Sequence, residues 1–225
     1  MLKKTLLLLT ATVILGGLTS WARTTNIEGA EAVTLVEIGQ QAPEFKLFGV
    51  DLRYHSLSMY QDKKAIAVIF HCNHCPISRR NVDRIVELGN EYQDKDVQFL
   101  VINPNPVDKV EADGFEQMRK RAEEKDFPFP YLYDETQAVS FEYGARRTDH
   151  VFILGEAAPD GSRQVEFIGP VDDRGNEPIY LADKLDTLLA GEEIENPEVS
   201  AFGCTIKYRT AEERINRFGY DIFEE

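Results

Sequence analysis

Apolar and polar positions along the chain fall into two kinds of run. Ala65, Ile66, Ala67, Val68, Ile69 and Phe70 are uninterrupted apolar residues, the pattern of a strand buried on both faces. Val82, Ile85, Val86, Leu88 and Tyr92 then recur at helical spacing. A second apolar run at 97–102 predicts another strand, closed by Pro104 and Pro106. Residues 114–125 are mostly charged and predict a solvated helix. A short strand at 131–133, a helix over 135–143 and a strand at 151–154 follow. Residues 164–168 are placed to pair with that last strand as a hairpin across Pro159, Asp160 and Gly161. An amphipathic helix is predicted over 179–189. Strands alternating with helices imply an α/β domain whose sheet is mostly parallel and covered on both sides. Residues 39–47 read as an extended entry, so the domain spans 38–192. Residues 23–37 show no period and read as a linker, and 193–225 as a polar C-terminal extension with one short helix over 211–218.

The N-terminus stands apart from this pattern. Lys3 and Lys4 precede an uncharged apolar run over residues 5–18, and Ser20 and Ala22 follow at the spacing of a cleavage site. That run is short for a bilayer span. Residues 1–22 therefore read as a signal peptide that exports the chain, in the simplest case to a bacterial periplasm; the competing reading is an uncleaved segment that anchors it to the membrane. Outside the cytoplasm a disulfide persists. No membrane contact is expected beyond this segment.

Charge narrows the partners. The chain has 225 residues with 25 Lys and Arg against 39 Asp and Glu, a formal net charge of −14 that becomes −16 once residues 1–22 are lost. Proteins that bind nucleic acid neutralise phosphates with Lys and Arg, so nucleic acid is excluded as a partner. With 43% hydrophobic residues and only three cysteines, the chain is neither disordered nor a disulfide-dense miniprotein.

Two of those cysteines sit three apart, in Cys72-Asn73-His74-Cys75-Pro76. A zinc site would need a second Cys or His pair, and His71 and His74 are too close to supply one with ordinary geometry. The position is more telling than the spacing. The motif follows a buried strand and opens a helix, so the helix N-terminus faces the first sulfur and is expected to lower the pKa of Cys72. His74 is placed to add a charge or a hydrogen bond. Cys72 and Cys75 are thus the expected catalytic redox pair, Cys72 attacking a partner's disulfide and Cys75 resolving the mixed intermediate. The alternative is a passive disulfide or two buried thiols.

At these residues the chain resembles the thioredoxin-like superfamily. More narrowly it resembles the redoxin group related to alkyl-hydroperoxide reductase and thiol-specific antioxidant proteins. The matching pieces are the Cys72–Cys75–Pro76 motif and residues 101–105, 129–137, 143–145, 169–173 and 203–208. The resemblance implies a thioredoxin-like α/β fold, with a central mixed sheet flanked by helices on both faces. It also implies thiol-disulfide oxidoreductase activity on a thiol or disulfide protein or a small-thiol partner, with no cofactor.

One departure opens two other readings. The family places a cis-proline opposite the motif; here Asp149 stands at that position, so the Thr148–Asp149 bond is expected to be trans. Asp149 then joins His74 and Pro76 as a residue modulating the pair. Asp149-His150 opposite two cysteines also resembles the Sco-type copper proteins, which would make Cys72, Cys75 and His150 copper ligands, although those proteins have three residues between their cysteines and this chain has two. The third reading is a peroxidase with Cys75 as the reactive residue and Arg79, Arg80, Arg146 or Arg147 polarising peroxide. Cys204 reads as a buried packing residue or, more sharply, as a third redox thiol. Asp134, Glu135, Asp172 and Asp173 read as caps and turn formers, and Phe127, Phe129, Tyr131 and Tyr133 as core.

Overall fold

The computed structural model describes residues 25–27, 30–221 and 223. The proposed signal peptide, residues 1–22, lies outside the described residues. Among the described residues no helix is long and apolar enough to cross a membrane.

Among the described residues nine strands form two sheets. β1 (Thr25–Ile27) and β2 (Ala30–Val33) pair antiparallel with each other. The central sheet contains β3 (Lys46–Gly49), β4 (Tyr54–Ser56), β5 (Ala65–Phe70), β6 (Val97–Asn103), β7 (Tyr131–Tyr133), β8 (His150–Leu154) and β9 (Val165–Pro170) in the order β4-β3-β7-β6-β5-β8-β9. β5 runs parallel to β6, and β6 to β7, whereas β8 and β9 run antiparallel to their neighbours. The sheet is therefore mixed, as the family resemblance implies, and β9 returns beside β8 as the expected hairpin. The alternation of strands and helices, read as a mostly parallel sheet, does not show that β8 runs antiparallel to β5.

The apolar run of β5 is buried at all six positions. Alternate residues point to opposite faces: Ile66, Val68 and Phe70 enter one core, and Ala65, Ala67 and Ile69 the other. The second core is closed by α1 (Pro76–Gln93) through Ile85, Leu88 and Tyr92 and by α4 (Tyr180–Leu189) through Leu181 and Leu185. Met118 of α2 (Phe115–Glu124) completes it. The first core takes Val139 of α3 (Ala138–Glu142), and also Ile206 and Tyr208 from the C-terminal extension.

Both flanking segments depart from their reading as linker and tail. Val33 and Val36 enter the first core, and Gly144 is required where this arm crosses, since a Cβ there would lie 2.3 Å from the Leu35 Cα. At the other end, Ile168 of β9 exchanges backbone hydrogen bonds with Pro197 and Val199, which covers the sheet edge. α5 (Ala211–Phe218) opens on a capping box between Thr210 and Glu213. Arg209 and Arg214 on either side of that cap are fully buried. Arg209 pairs with Asp108 and donates to the Glu135 carbonyl, while Arg214 grips Asp221 with two bonds of 2.6 and 2.8 Å. A buried arginine is tolerated only with such partners, so these residues fix the extension to the domain.

Candidate redox site

The site lies where β5 ends and α1 begins. His71 still follows the sheet, its N–H donating to the Ile102 carbonyl at 2.8 Å. Pro76 takes the first helical position, where its missing N–H costs nothing, and Cys75 is the N-cap. The turn between them is held by a carboxylate from another part of the chain. Asp113 accepts from the Asn73 N–H at 2.7 Å, the His74 N–H at 3.1 Å, the His74 ring Nδ1 at 2.6 Å and the Asn105 amide at 2.9 Å. Asn73 itself donates to the Ala112 carbonyl and accepts from the Tyr131 hydroxyl. Every lone-pair position of Asp113 is in use, so the turn has one conformation.

A second buried carboxylate supports the first turn of α1. Asp149 accepts from His71 Nδ1 at 2.7 Å, Ser78 Oγ at 3.0 Å and the Asn81 amide at 2.9 Å. Its backbone is left-handed, with φ of 60°, and its N–H donates to the Phe70 carbonyl at 2.6 Å. Asp tolerates this region better than most residues. The preceding peptide bond is trans, as expected; the cis bond among the described residues precedes Pro178. Asp149 thus ties His71 to the first turns of α1 beside the motif.

The cysteines are arranged differently from the expectation. Cys75 is bonded to Cys204, 129 residues later and 6.0 Å away between Cα atoms, and Cys72 is a free buried thiol. Cys72 and Cys75 are therefore not bonded to each other in this structure, and Cys204 is not a packing residue. The extension brings Cys204 to the site through strand-like contacts: Cys204 O accepts from the Thr148 N–H at 2.8 Å, and the Ile206 N–H donates to Arg146 O at 3.1 Å. Gly203 is needed here, because a Cβ would stand 1.9 Å from the Thr148 carbonyl oxygen.

The acidity of Cys72 is also opposite to the expectation. Burial pushes its thiol up to about 12, and the Asp113 and Asp149 charges push in the same direction. The Cys75 N–H at the helix start and the Ser78 hydroxyl pull it down, but by less. Desolvation outweighs the helix N-terminus because no water reaches the sulfur. His74 Nδ1 lies 3.5 Å from it, yet that nitrogen is held by Asp113.

The copper trio is not assembled. Cys75 is consumed by its bond to Cys204, and the donors that gather around Cys72 are His74 and Asp113, all within 4.8 Å of one another. His150 instead starts β8 opposite Phe70, with its ring 4.5 Å from Phe152 and its Nδ1 without a hydrogen-bond partner. Burial, and then the charge of Arg146, hold its pKa down to about 3. The arginines considered for peroxide are occupied or remote: Arg80 pairs with Asp172, Arg146 donates to Val33 O, Arg147 to Gly203 O, and Arg79 is exposed.

Other residues fall as read. Asp134 caps α3, accepting from the Ser140 N–H at 2.8 Å and the Val139 N–H at 3.4 Å, and burial raises its pKa to about 6. Phe129 and Tyr131 are buried, with Phe127 and Tyr133 packed against the same core. Asp113 was not apparent from sequence: an acidic residue just before Gly114 and α2 looks like a helix cap, and nothing local ties it to Asn73, 40 residues away.

Comparisons with known proteins identify the fold and the family. An uncharacterized conserved protein from Geobacillus kaustophilus is 35% identical, with a TM-score of 0.70 over 77% of this chain and 93% of that one. A hypothetical protein from Sinorhizobium meliloti 1021 is 25% identical at the same TM-score, over 77% of this chain and 95% of its own. Mycobacterium bovis AhpC, 20% identical with a TM-score of 0.53 over 70% of this chain and 95% of its own, shares the fold. No curated protein matches the chain. The AhpC/TSA family model matches residues 38–168, which cover the strand, the cysteine motif, both supporting carboxylates and the sheet around them. The fold is thioredoxin-like, and the chain belongs to the AhpC/TSA family.

Proposed function

We propose that the protein is an exported thiol-disulfide oxidoreductase whose exchanging bond is made by Cys75. The observation that carries this reading is the Cys75–Cys204 disulfide at the N-cap of α1, next to the free thiol of Cys72. The three residues differ in exposure: Cys72 and Cys75 are fully buried and Cys204 is partly exposed. A partner's thiolate therefore meets Cys204 first. It bonds to the Cys204 sulfur, the Cys75–Cys204 bond breaks, and the electron pair leaves on Cys75. The leaving thiolate forms at the N-cap of α1, where the helix dipole offsets part of the cost of its burial. A second thiolate of the same partner then displaces Cys204. The partner dithiol has lost two electrons and two protons, and Cys75 and Cys204 have gained them. In the opposite direction the same steps reduce a partner disulfide.

Partners of this chemistry are proteins with paired cysteines or small thiols. Export suits the assignment, because a disulfide persists outside the cytoplasm. The test is exchange with a small dithiol, followed by counting free thiols in wild type and in Cys72→Ser, Cys75→Ser and Cys204→Ser. Loss of exchange in Cys75→Ser supports the proposal; wild-type exchange rates in that variant refute it.

A further inference from the structure

Three cysteines share one site, but a single disulfide uses only two of them. Cys75 sits between the others. Its sulfur is bonded to Cys204, and its backbone N–H lies beside the Cys72 sulfur and acts to lower that thiol's pKa. The remaining thiol, Cys72, is as fully buried as Cys75 and is held among His74, Asp113, Ser78 and Asp149. Cys204 lies on a strap, residues 203–205, attached by the Thr148 N–H on Cys204 O and by the Arg147 guanidinium on Gly203 O. The chain is fixed again beyond the strap, where Ile206 is buried in the first core and bonded to Arg146 O, Lys207 N–H donates to the Asn105 side chain and Arg209 is buried. The strap can thus leave the site while its flanks stay docked.

We infer that Cys75 is the pivot of a three-cysteine relay, in which the disulfide migrates between a reachable Cys75–Cys204 form and a shielded Cys72–Cys75 form. In the migration the Cys72 sulfur bonds to Cys75, the Cys75–Cys204 bond breaks, and the electron pair leaves on Cys204. One proton leaves Cys72 and one is taken up by Cys204. No electrons enter or leave, so no oxidant or reductant is needed. The relay rests on the exchange chemistry proposed above and adds to it a store for the disulfide that partners cannot reach. It also gives Cys72 a role: burial keeps it as a thiol at rest, so the bond sits on Cys204 and moves inward only when Cys72 is deprotonated. The groups facing that thiol are His74, Asp113, Asp149, Ser78 and Tyr131.

Native alkylation of the full chain in its one-disulfide form tests the relay. Iodoacetamide is added without denaturant, and labelled and disulfide-linked peptides are mapped at intervals. The relay gives a label that accumulates on Cys204 together with a Cys72–Cys75 disulfide, faster at higher pH, and no Cys204 label in Cys72→Ser. A label on Cys72 with Cys75–Cys204 intact, or no label at all, overturns it. As a second measurement, Cys204→Ser is equilibrated with oxidised glutathione: a Cys72–Cys75 disulfide supports the relay, and two free thiols contradict it. Exchange with external dithiols is read separately. Exchange that continues while the label sits on Cys72 sinks the relay alone, whereas a Cys204 label without external exchange sinks the proposed function alone.

Discussion

The Asp113 carboxylate holds the His74 ring at 2.6 Å and, through the backbone N–H groups of Asn73 and His74, fixes the turn that carries Cys72. The same carboxylate places a negative charge beside the Cys72 sulfur and raises its pKa. One residue therefore both shapes the motif and restrains its free thiol. In Asp113→Asn the charge is removed, and the Cys72 titration is expected to fall by about one unit or more. Ultraviolet thiolate absorbance of the one-disulfide form measures it. Lost hydrogen bonds to the turn should cost about 1–3 kcal/mol in urea denaturation.

Cys72 also predicts a stability profile at alkaline pH. Its folded pKa of about 12 lies above its ordinary value of 9.0, so the unfolded chain gives up this proton more readily. The stabilisation is complete below pH 9 and is lost as pH rises from 9 towards 12. Tyr131, Tyr143 and Tyr208, all raised by burial, act in the same direction at higher pH. Cys72→Ala should flatten the part of the profile that begins near pH 9, measured by denaturant midpoints across that range.

His150 acts at the acid end. It is buried with Nδ1 unpartnered, and its pKa is lowered from 6.5 to about 3. The unfolded chain takes up this proton first, so stability is lost as pH falls from 6.5 towards 3. His150→Phe keeps the ring contact with Phe152 and removes the unpartnered nitrogen. The variant should gain roughly 1–3 kcal/mol and lose less stability on acidification, with thermal melts at several pH values as the check.

The Cys75–Cys204 bond closes a long loop, and Cys204→Ser should lower stability by about 2–4 kcal/mol under oxidising conditions. Under reducing conditions the variant and wild type should denature together; a difference that survives reduction would place the effect elsewhere.

Gly203→Ala tests how closely the strap must lie. The added Cβ meets the Thr148 carbonyl oxygen at 1.9 Å, so the backbone has to move. A cost of about 1–3 kcal/mol is expected, with slower formation of the Cys75–Cys204 bond in a non-reducing peptide map.

Much of this protein is legible along the chain. The six buried residues of β5, the helical spacing of α1 and the cysteine motif between them are local patterns, and they locate the site. The β8–β9 hairpin is legible in its turn, whereas the antiparallel pairing of β8 with β5 is not, because only the neighbouring strand decides that direction. Cys204 could not be placed: its partner lies 129 residues away, and in Gly203-Cys204-Thr205 nothing local separates a bonded cysteine from a packed one. Asp113 was hidden for the same reason. The acidity of Cys72 is illegible for a different reason, since the helix N-terminus is visible in the sequence while desolvation is a property of the assembled core. The buried Arg209 and Arg214 made the extension look like a solvated tail, because charged residues seldom report burial by composition.

Equilibrium titration against the reduced and oxidised glutathione couple tests the central claim most directly. The account predicts that the wild-type chain titrates reversibly as one two-electron disulfide, and that Cys75→Ser abolishes this transition. A Cys75→Ser variant that titrates like wild type, or a wild-type disulfide that opens only when the chain unfolds, would contradict it.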